Sequence, residues 1–145
     1  MGDQQLNILV VAAHPHDFTH VAGTCGVHTS LGDSVTVVAA SGGIFIHNER
    51  LYDELRKPKE EQDPIVNQPP DAYAEIKEKE LRDAAAMFGV TDVRILDFPE
   101  PFRLDQHRKA VDDLADIILD VRPHVLISHK PMPPYPYVGV SRDDH

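Results

Sequence analysis

The sequence is short of cysteine. Cys25 is the only one in 145 residues. No disulfide can form within the chain, which fits a reducing compartment. It is also short of positive charge, with 14 Lys and Arg against 24 Asp and Glu, a formal net charge of −10. That balance argues against nucleic acid or an anionic membrane as partner. Long apolar runs are missing as well. Near the N-terminus the longest is Ile8 to Ala13, too short to cross a bilayer, and no signal peptide is evident. The Met1-Gly2 start has Leu6 where a myristoylation signal would carry Ser or Thr. The resulting expectation is a cytoplasmic protein. There are no repeats and no low-complexity tract. No phosphate-type glycine loop follows the first apolar run, which counts against a metal-free nucleotide-binding domain.

What is present in excess is histidine, nine in all. Two of them stand at the stretch around which the chain is organised. Ile8 to Ala13 reads as a strand buried on both faces, and Pro15 stops it. His14, His16 and Asp17 crowd its exit. A helix is predicted over Val21 to Leu31, with Gly23 and Gly26 allowing close approach to the sheet. Ser34 to Ala40 is a second buried strand. Strand, helix and strand in that span form a βαβ unit, so the two strands should be parallel.

Ser41 to Pro70 holds Gly42-Gly43, a charged middle and prolines at 58, 64, 69 and 70. It is expected to be a long loop over the same rim, lining the pocket rather than the core. Asp71 to Phe88 is predicted helical, with Leu81, Ala84, Ala85 and Phe88 as its buried stripe and Gly89 as its stop. Val93 to Phe98 is a third strand. A further helix starts at Leu104 or Asp105, with Val111, Leu114, Ala115 and Ile118 as its stripe. His124 to Ser128 is a fourth strand leading to His129, and Lys130 to His145 shows no regular pattern. This alternation predicts an α/β fold: a Rossmann-like open sheet, mostly parallel, in three layers with helices on both faces. Residues 1–145 are expected to form a single domain, the N-terminal part of a longer protein.

In such a sheet the loops after the first and fourth strands face each other across a crevice if those strands are neighbours. His14, Asp17 and the distant His145 would then meet. Two imidazoles and a carboxylate, with one position left for water, make a catalytic zinc set. On these residues alone, a polar turn of hydrogen-bonded histidines without metal is the simpler account. His28 and His107 read as surface residues and His124 as the start of a strand. His47 reads as a loop residue that could line the pocket, and His20 is undecided. His129 lies on the correct rim for substrate contact or for support of the ligands. Cys25 reads as a small core residue.

The motifs taken in order shift that balance. Ala13 to Phe18 reads AHPHDF, followed by Ala22-Gly23-Thr24. Lys77 to Glu80, Ala84 to Ala86 and Phe88-Gly89-Val90 follow, then Ile95-Leu96-Asp97, Pro123 to His129, and Arg142-Asp143-Asp144-His145. In this order the chain resembles the zinc-dependent N-acetylglucosamine-type deacetylases called PIG-L or LmbE-like. Their patterns are AHPDDE, a glycine-rich helix start, R-x-x-E with L-G-V, P-D-V-V-I-T-H and H-P-D-H.

The resemblance implies metal ligands at His14, Asp17 and His145, holding Zn²⁺, with Fe²⁺ or Mn²⁺ able to occupy such a site. His16 stands where the family has its general base, Phe18 where it has a supporting Glu, and Arg142 where a histidine stabilises the oxyanion. Asp144 joins the catalytic group and, with Asp143, is next in line as base. Lys77 stands at the Arg of R-x-x-E and is grouped with His129 and His47 as substrate-binding. The implied function is metal-dependent removal of an N-acyl group, most simply acetyl, from an amino sugar or related small molecule. The alternative is a non-catalytic metal- or sugar-binding protein on the same fold. The implied partner is a small molecule, with no nucleic acid or membrane, and a homo-oligomer is left open.

Overall fold

The structure is a computed structural model and describes residues 5–43, 48–96, 98 and 107–130. Its four strands are β1 (Asn7–Ala12), β2 (Ser34–Ala39), β3 (Asp92–Ile95) and β4 (Val125–Ser128). They lie side by side in the order β3-β2-β1-β4, all parallel. Ile8 stands opposite Val35 on one side and Val125 on the other. The chain steps outward from β1 to β3, then crosses back to lay β4 on the far side of β1. That reversal is the switch point at which α/β sheets bind ligands. The first and fourth strands are the neighbours the sequence called for.

The helices are α1 (Ala22–Ser30), α2 (Glu49–Leu55), α3 (Pro70–Met87) and α4 (Arg108–Val121). Side-chain alternation along β1 and β2 sorts them into layers. Ile8, Val10, Val35 and Val37 pack with Cys25 of α1 and with Leu81 and Ala85 of α3. Leu9 and Val38 face the other way and pack with Ile117, Leu114 and Val121 of α4. Helices therefore cover both faces. Each strand side chain sealed between layers contributes about 1.5–3 kcal/mol relative to exposure. Cys25 is buried as expected, and burial pushes its thiol above the ordinary value. No helix of the described residues is long and apolar enough to cross a membrane.

Two expectations need correction. Of the predicted α4 stripe only Leu114 packs towards the sheet, and the rest is displaced by one residue. Ala110, Leu114, Ile117 and Val121 face the protein, whereas Val111 and Ile118 are 41% and 40% exposed. Ala115 is exposed too. The helix carries apolar residues at adjacent positions, so two stripes satisfy helical spacing and only packing selects one. The predicted loop from Ser41 to Pro70 is also partly regular. It contains α2 and 3₁₀ turns at Lys59–Glu61 and Pro64–Asn67. No residue of α2 is buried, so no apolar period announced it. It is held by the Asn48 side chain, which accepts from Leu51 N–H at 3.2 Å, and by Glu54, which pairs with Lys57 and accepts from Asp63 N–H. Among the described residues this segment adds no strand to the sheet. Residues 44–47 and the predicted helix start at Leu104 or Asp105 lie outside the described residues.

The end of α3 is tied to α1 within their shared layer. Gly89 has φ +76°, with Gly89 N–H donating to Ala86 O and Val90 N–H to Ala85 O, both at 3.0 Å. This pair of bonds is the Schellman closure expected of glycine at that place. Thr29 Oγ1 of α1 donates to Phe88 O at 2.6 Å across the same corner.

Candidate metal centre

β1 ends at Ala12, and Pro15 opens a 3₁₀ turn, Pro15–His20. Proline at that position has no N–H to leave unpaired. Asp17 reaches back over the turn. Its Oδ2 accepts from the N–H groups of Ala13 and His14, each at 2.9 Å. The strand end and the carboxylate thereby fix each other. The start of the next segment closes in from the side: Ser41 Oγ donates to Ala13 O at 3.3 Å, and a side chain at Gly43 would lie 3.4 Å from the Pro15 ring. This much of the Ser41–Pro70 segment does abut the rim.

Three imidazoles surround the carboxylate. His16 Nε2 is 3.2 Å from Asp17 Oδ1, His129 Nε2 is 3.1 Å from Oδ2, and His14 Nδ1 is 3.6 Å from Oδ2. The rings of His14 and His16 stack, with centroids 5.3 Å apart and planes 12° from parallel. His14, His16 and Asp17 each offer a ligand atom within 4.8 Å of the others, the spread of one coordination sphere. Burial works against ionising Asp17. Contacts from the His14 ring and backbone, and the charges of His16 and His129, outweigh it and hold the carboxyl well below the usual carboxylate range. The donor set, two nitrogens and one carboxylate held ionised, fits a borderline-soft divalent cation such as Zn²⁺.

A cleft of about 300 Å³ opens beside these groups, floored by Val10, Val11, Ala12, Ile127 and Ser128 and walled by His16, Asp17, His20 and His129. It lies at the carboxyl ends of the paired strands β1 and β4, the place of the switch point. His20, undecided from the sequence, joins this wall, with Nδ1 3.2 Å from Asp17 O. The sequence placed His129 on the rim for substrate contact or for support of the ligands, and its contact with Asp17 is of the second kind. That contact needs the pairing of Val11 with Ser128, which sets His129 just beyond the last paired residue.

The remaining candidates sort as follows. Lys77 on α3 pairs with Glu80 at 2.7 Å and sits 5.2 Å from the centre of the Tyr73 ring, and it is not among the described residues lining the cleft. Phe18 points into the core and meets Phe88 edge-on at 6.0 Å. His28 pairs with Asp33 at 2.7 Å, and His124 bridges to β1, its Nδ1 accepting from Asn7 N–H at 2.9 Å. His47, Asp97, Arg142, Asp143, Asp144 and His145 lie outside the described residues, and with them the expected meeting of His145 with His14 and Asp17.

Comparison with known proteins agrees with this arrangement. A family model described as PIG-L, GlcNAc-PI de-N-acetylase, matches residues 9–145. The chain is 29% identical to a 1D-myo-inositol 2-acetamido-2-deoxy-alpha-D-glucopyranoside deacetylase of Thermomonospora curvata, over 89% of this chain and 46% of that protein. Among solved structures it resembles GalB, the 4-carboxy-2-hydroxymuconate hydratase of Pseudomonas putida. There the TM-score is 0.70 and the identity 27%, covering 90% of this chain and 49% of that one. It shares its fold with the N,N'-diacetylchitobiose deacetylase of Pyrococcus horikoshii, with TM-score 0.67 and 21% identity, over 88% of this chain and 42% of that one. The chain thus spans about half the length of the relatives it matches.

Proposed function

The chain belongs to the PIG-L family, and on that premise we propose that it is a metal-dependent hydrolase. It removes an N-acyl group, in the simplest case acetyl, from an amino sugar or related small molecule. The observation that carries this reading is the cluster of His14, His16 and Asp17 at the carboxyl end of β1, beside a cleft. His14, Asp17 and His145 hold the cation, Zn²⁺ by preference, with Fe²⁺ or Mn²⁺ as substitutes. When bound, it supplies a Lewis acid that polarises the acyl carbonyl and makes water easier to deprotonate.

His16 takes the proton from the attacking water. An imidazole titrates near pH 6.5 in the ordinary case, which suits a base at neutral pH, and with Nε2 turned to the carboxylate the nitrogen that takes the proton is Nδ1. As oxygen bonds to the acyl carbon, Arg142 pairs with the negative charge on the carbonyl oxygen. Its guanidinium keeps its own protons. The C–N bond then breaks, and protonated His16 returns its proton to the leaving amine. Asp144 and Asp143 are the next candidates for the base. Lys77 and His47 contribute to substrate binding, and His129 stands at the same rim against Asp17. The protein acts in the cytoplasm on a small molecule.

The test is metal analysis of the full-length protein purified without added metal, followed by turnover on a panel of N-acetylated amino sugars. His16→Ala should keep the metal and lower turnover by roughly 10²–10⁴-fold, the usual worth of a positioned base. Loss of the metal in that variant makes His16 a ligand and refutes its role as base. Metal without turnover on any N-acyl substrate favours the binding-protein alternative. Likeness to GalB favours a second reading, addition of water to a carbon–carbon double bond, and turnover of an unsaturated acid in place of the amides would establish it.

A further inference from the structure

Asp17 uses its two oxygens differently. Oδ2 gathers the N–H groups of Ala13 and His14 and the Nε2 of His129, at 2.9, 2.9 and 3.1 Å. Oδ1 faces His16 at 3.2 Å. An ionised carboxylate only accepts, so Nε2 of His129 is the donor in this pair. Three donors crowd Oδ2, whereas Oδ1 faces His16 alone and is the oxygen with room for a cation. His129 is not one of the described groups that lie within 4.8 Å of one another; those are His14, His16 and Asp17. It follows directly on β4, whereas the other groups all come from the exit of β1.

We infer that His129 is a positioning residue: it clamps the Asp17 carboxylate from the end of the neighbouring strand, so that Oδ2 closes the turn and Oδ1 is presented to the cation. This deepens the metal-dependent reading above and rests on it for the cation. It also assigns His129 a task other than substrate contact. The physical need is clear. A carboxylate held only by its own turn can rotate and offer either oxygen, or both. A donor fixed at the end of a second strand removes that freedom, and hydrogen bonds of this kind to metal ligands are worth roughly 10–100-fold in metal affinity.

The test uses the full-length protein with His129→Ala and His129→Gln. The glutamine amide nitrogen can donate from about where Nε2 stands, but it carries no imidazole. Two quantities are read. One is the pair of backbone amide resonances of Ala13 and His14 in metal-free, ¹⁵N-labelled protein, which report the bonds to Oδ2. The other is Co²⁺ affinity by titration. We expect His129→Ala to move both resonances and weaken Co²⁺ binding by roughly 10–100-fold, and His129→Gln to restore most of each. Unmoved amide resonances in His129→Ala overturn the inference. So does a weakening of Co²⁺ binding that glutamine fails to rescue, because His129 would then be a ligand. Absence of Co²⁺ binding by the wild-type protein defeats the metal-dependent reading, and the amide resonances still decide the clamp.

Discussion

Removing the Asp17 side chain should destabilise the protein even with no cation present. The carboxylate is 4% exposed and accepts two backbone N–H groups at 2.9 Å each, from Ala13 and His14. In Asp17→Ala both donors lose that acceptor at a buried strand end. An unsatisfied buried group costs about 1–3 kcal/mol, so the pair implies about 2–6 kcal/mol. Against a total stability of about 5–15 kcal/mol, such a loss is large. Asp17→Asn keeps a carbonyl oxygen for the same two donors and loses only the charge. Its cost should be nearer 2 kcal/mol, about 1 for each of the two bonds that go from charged to neutral. The assay is equilibrium urea unfolding in the presence of a chelator, so that no bound cation adds to native stability. Should Asp17→Ala unfold within about 0.5 kcal/mol of wild type, the range of inert surface substitutions, the carboxylate does not hold the turn. The geometry of the site would then need another cause.

Two further outcomes follow from the packing and from the charges. Ile117 is 8% exposed on the sheet side of α4 and Ile118 is 40% exposed beside it. Ile117→Ala should cost about 2–5 kcal/mol and Ile118→Ala less than about 0.5 kcal/mol, both read from thermal or urea unfolding; equal effects would refute the orientation of α4. Asp33 lies below its ordinary 3.8 because it accepts from Leu6 N–H and, after that, from His28. A carboxyl lowered in the folded state adds stability above its unfolded value and loses it as pH falls towards the folded one. Asp33→Asn should therefore flatten the acid limb of a stability–pH curve below about pH 4, and curves that stay parallel to wild type would count against this assignment.

The strands of this fold are legible because their signal is local. β1 and β2 are short apolar runs with clear stops, and the observed Asn7–Ala12 and Ser34–Ala39 differ from the predicted spans only at the ends. α3 is legible because Leu81 and Ala85 stand one turn apart on the buried side with Gly89 to close the helix, although Phe88, expected on the same stripe, is 37% exposed. The face of α4 was not, because apolar residues on neighbouring positions leave the choice to the sheet it meets. α2 was not, because a charged seven-residue helix held by Asn48, Glu54 and Asp63 has no periodic signature. The same division applies to the site. His14 and Asp17 are close in the chain and could be read together. The approach of His129 is a consequence of strand order, and no spacing within the sequence encodes it.

The two departures from the family motif act on opposite sides of one turn. Phe18, in place of the supporting glutamate, sits in the core against Phe88 and anchors the 3₁₀ turn from below. His16, in place of an aspartate, lies above it with its ring stacked on His14. Each exchange removes a negative charge, so the turn now carries one carboxylate, Asp17, where the family pattern carries three acids. Hard cations such as Mg²⁺ and Ca²⁺ are held by several oxygen ligands and would be poorly served by that set. Imidazole nitrogen suits zinc, iron and copper better than it suits magnesium or calcium. Where His16 acts as a ligand, the exchange adds a nitrogen donor and favours borderline-soft metals; where it acts as base, the ligand set stays that of the family pattern. The two exchanges also leave the single carboxylate to carry the turn and the cation together, which is why its orientation matters more here than in a site with acids to spare.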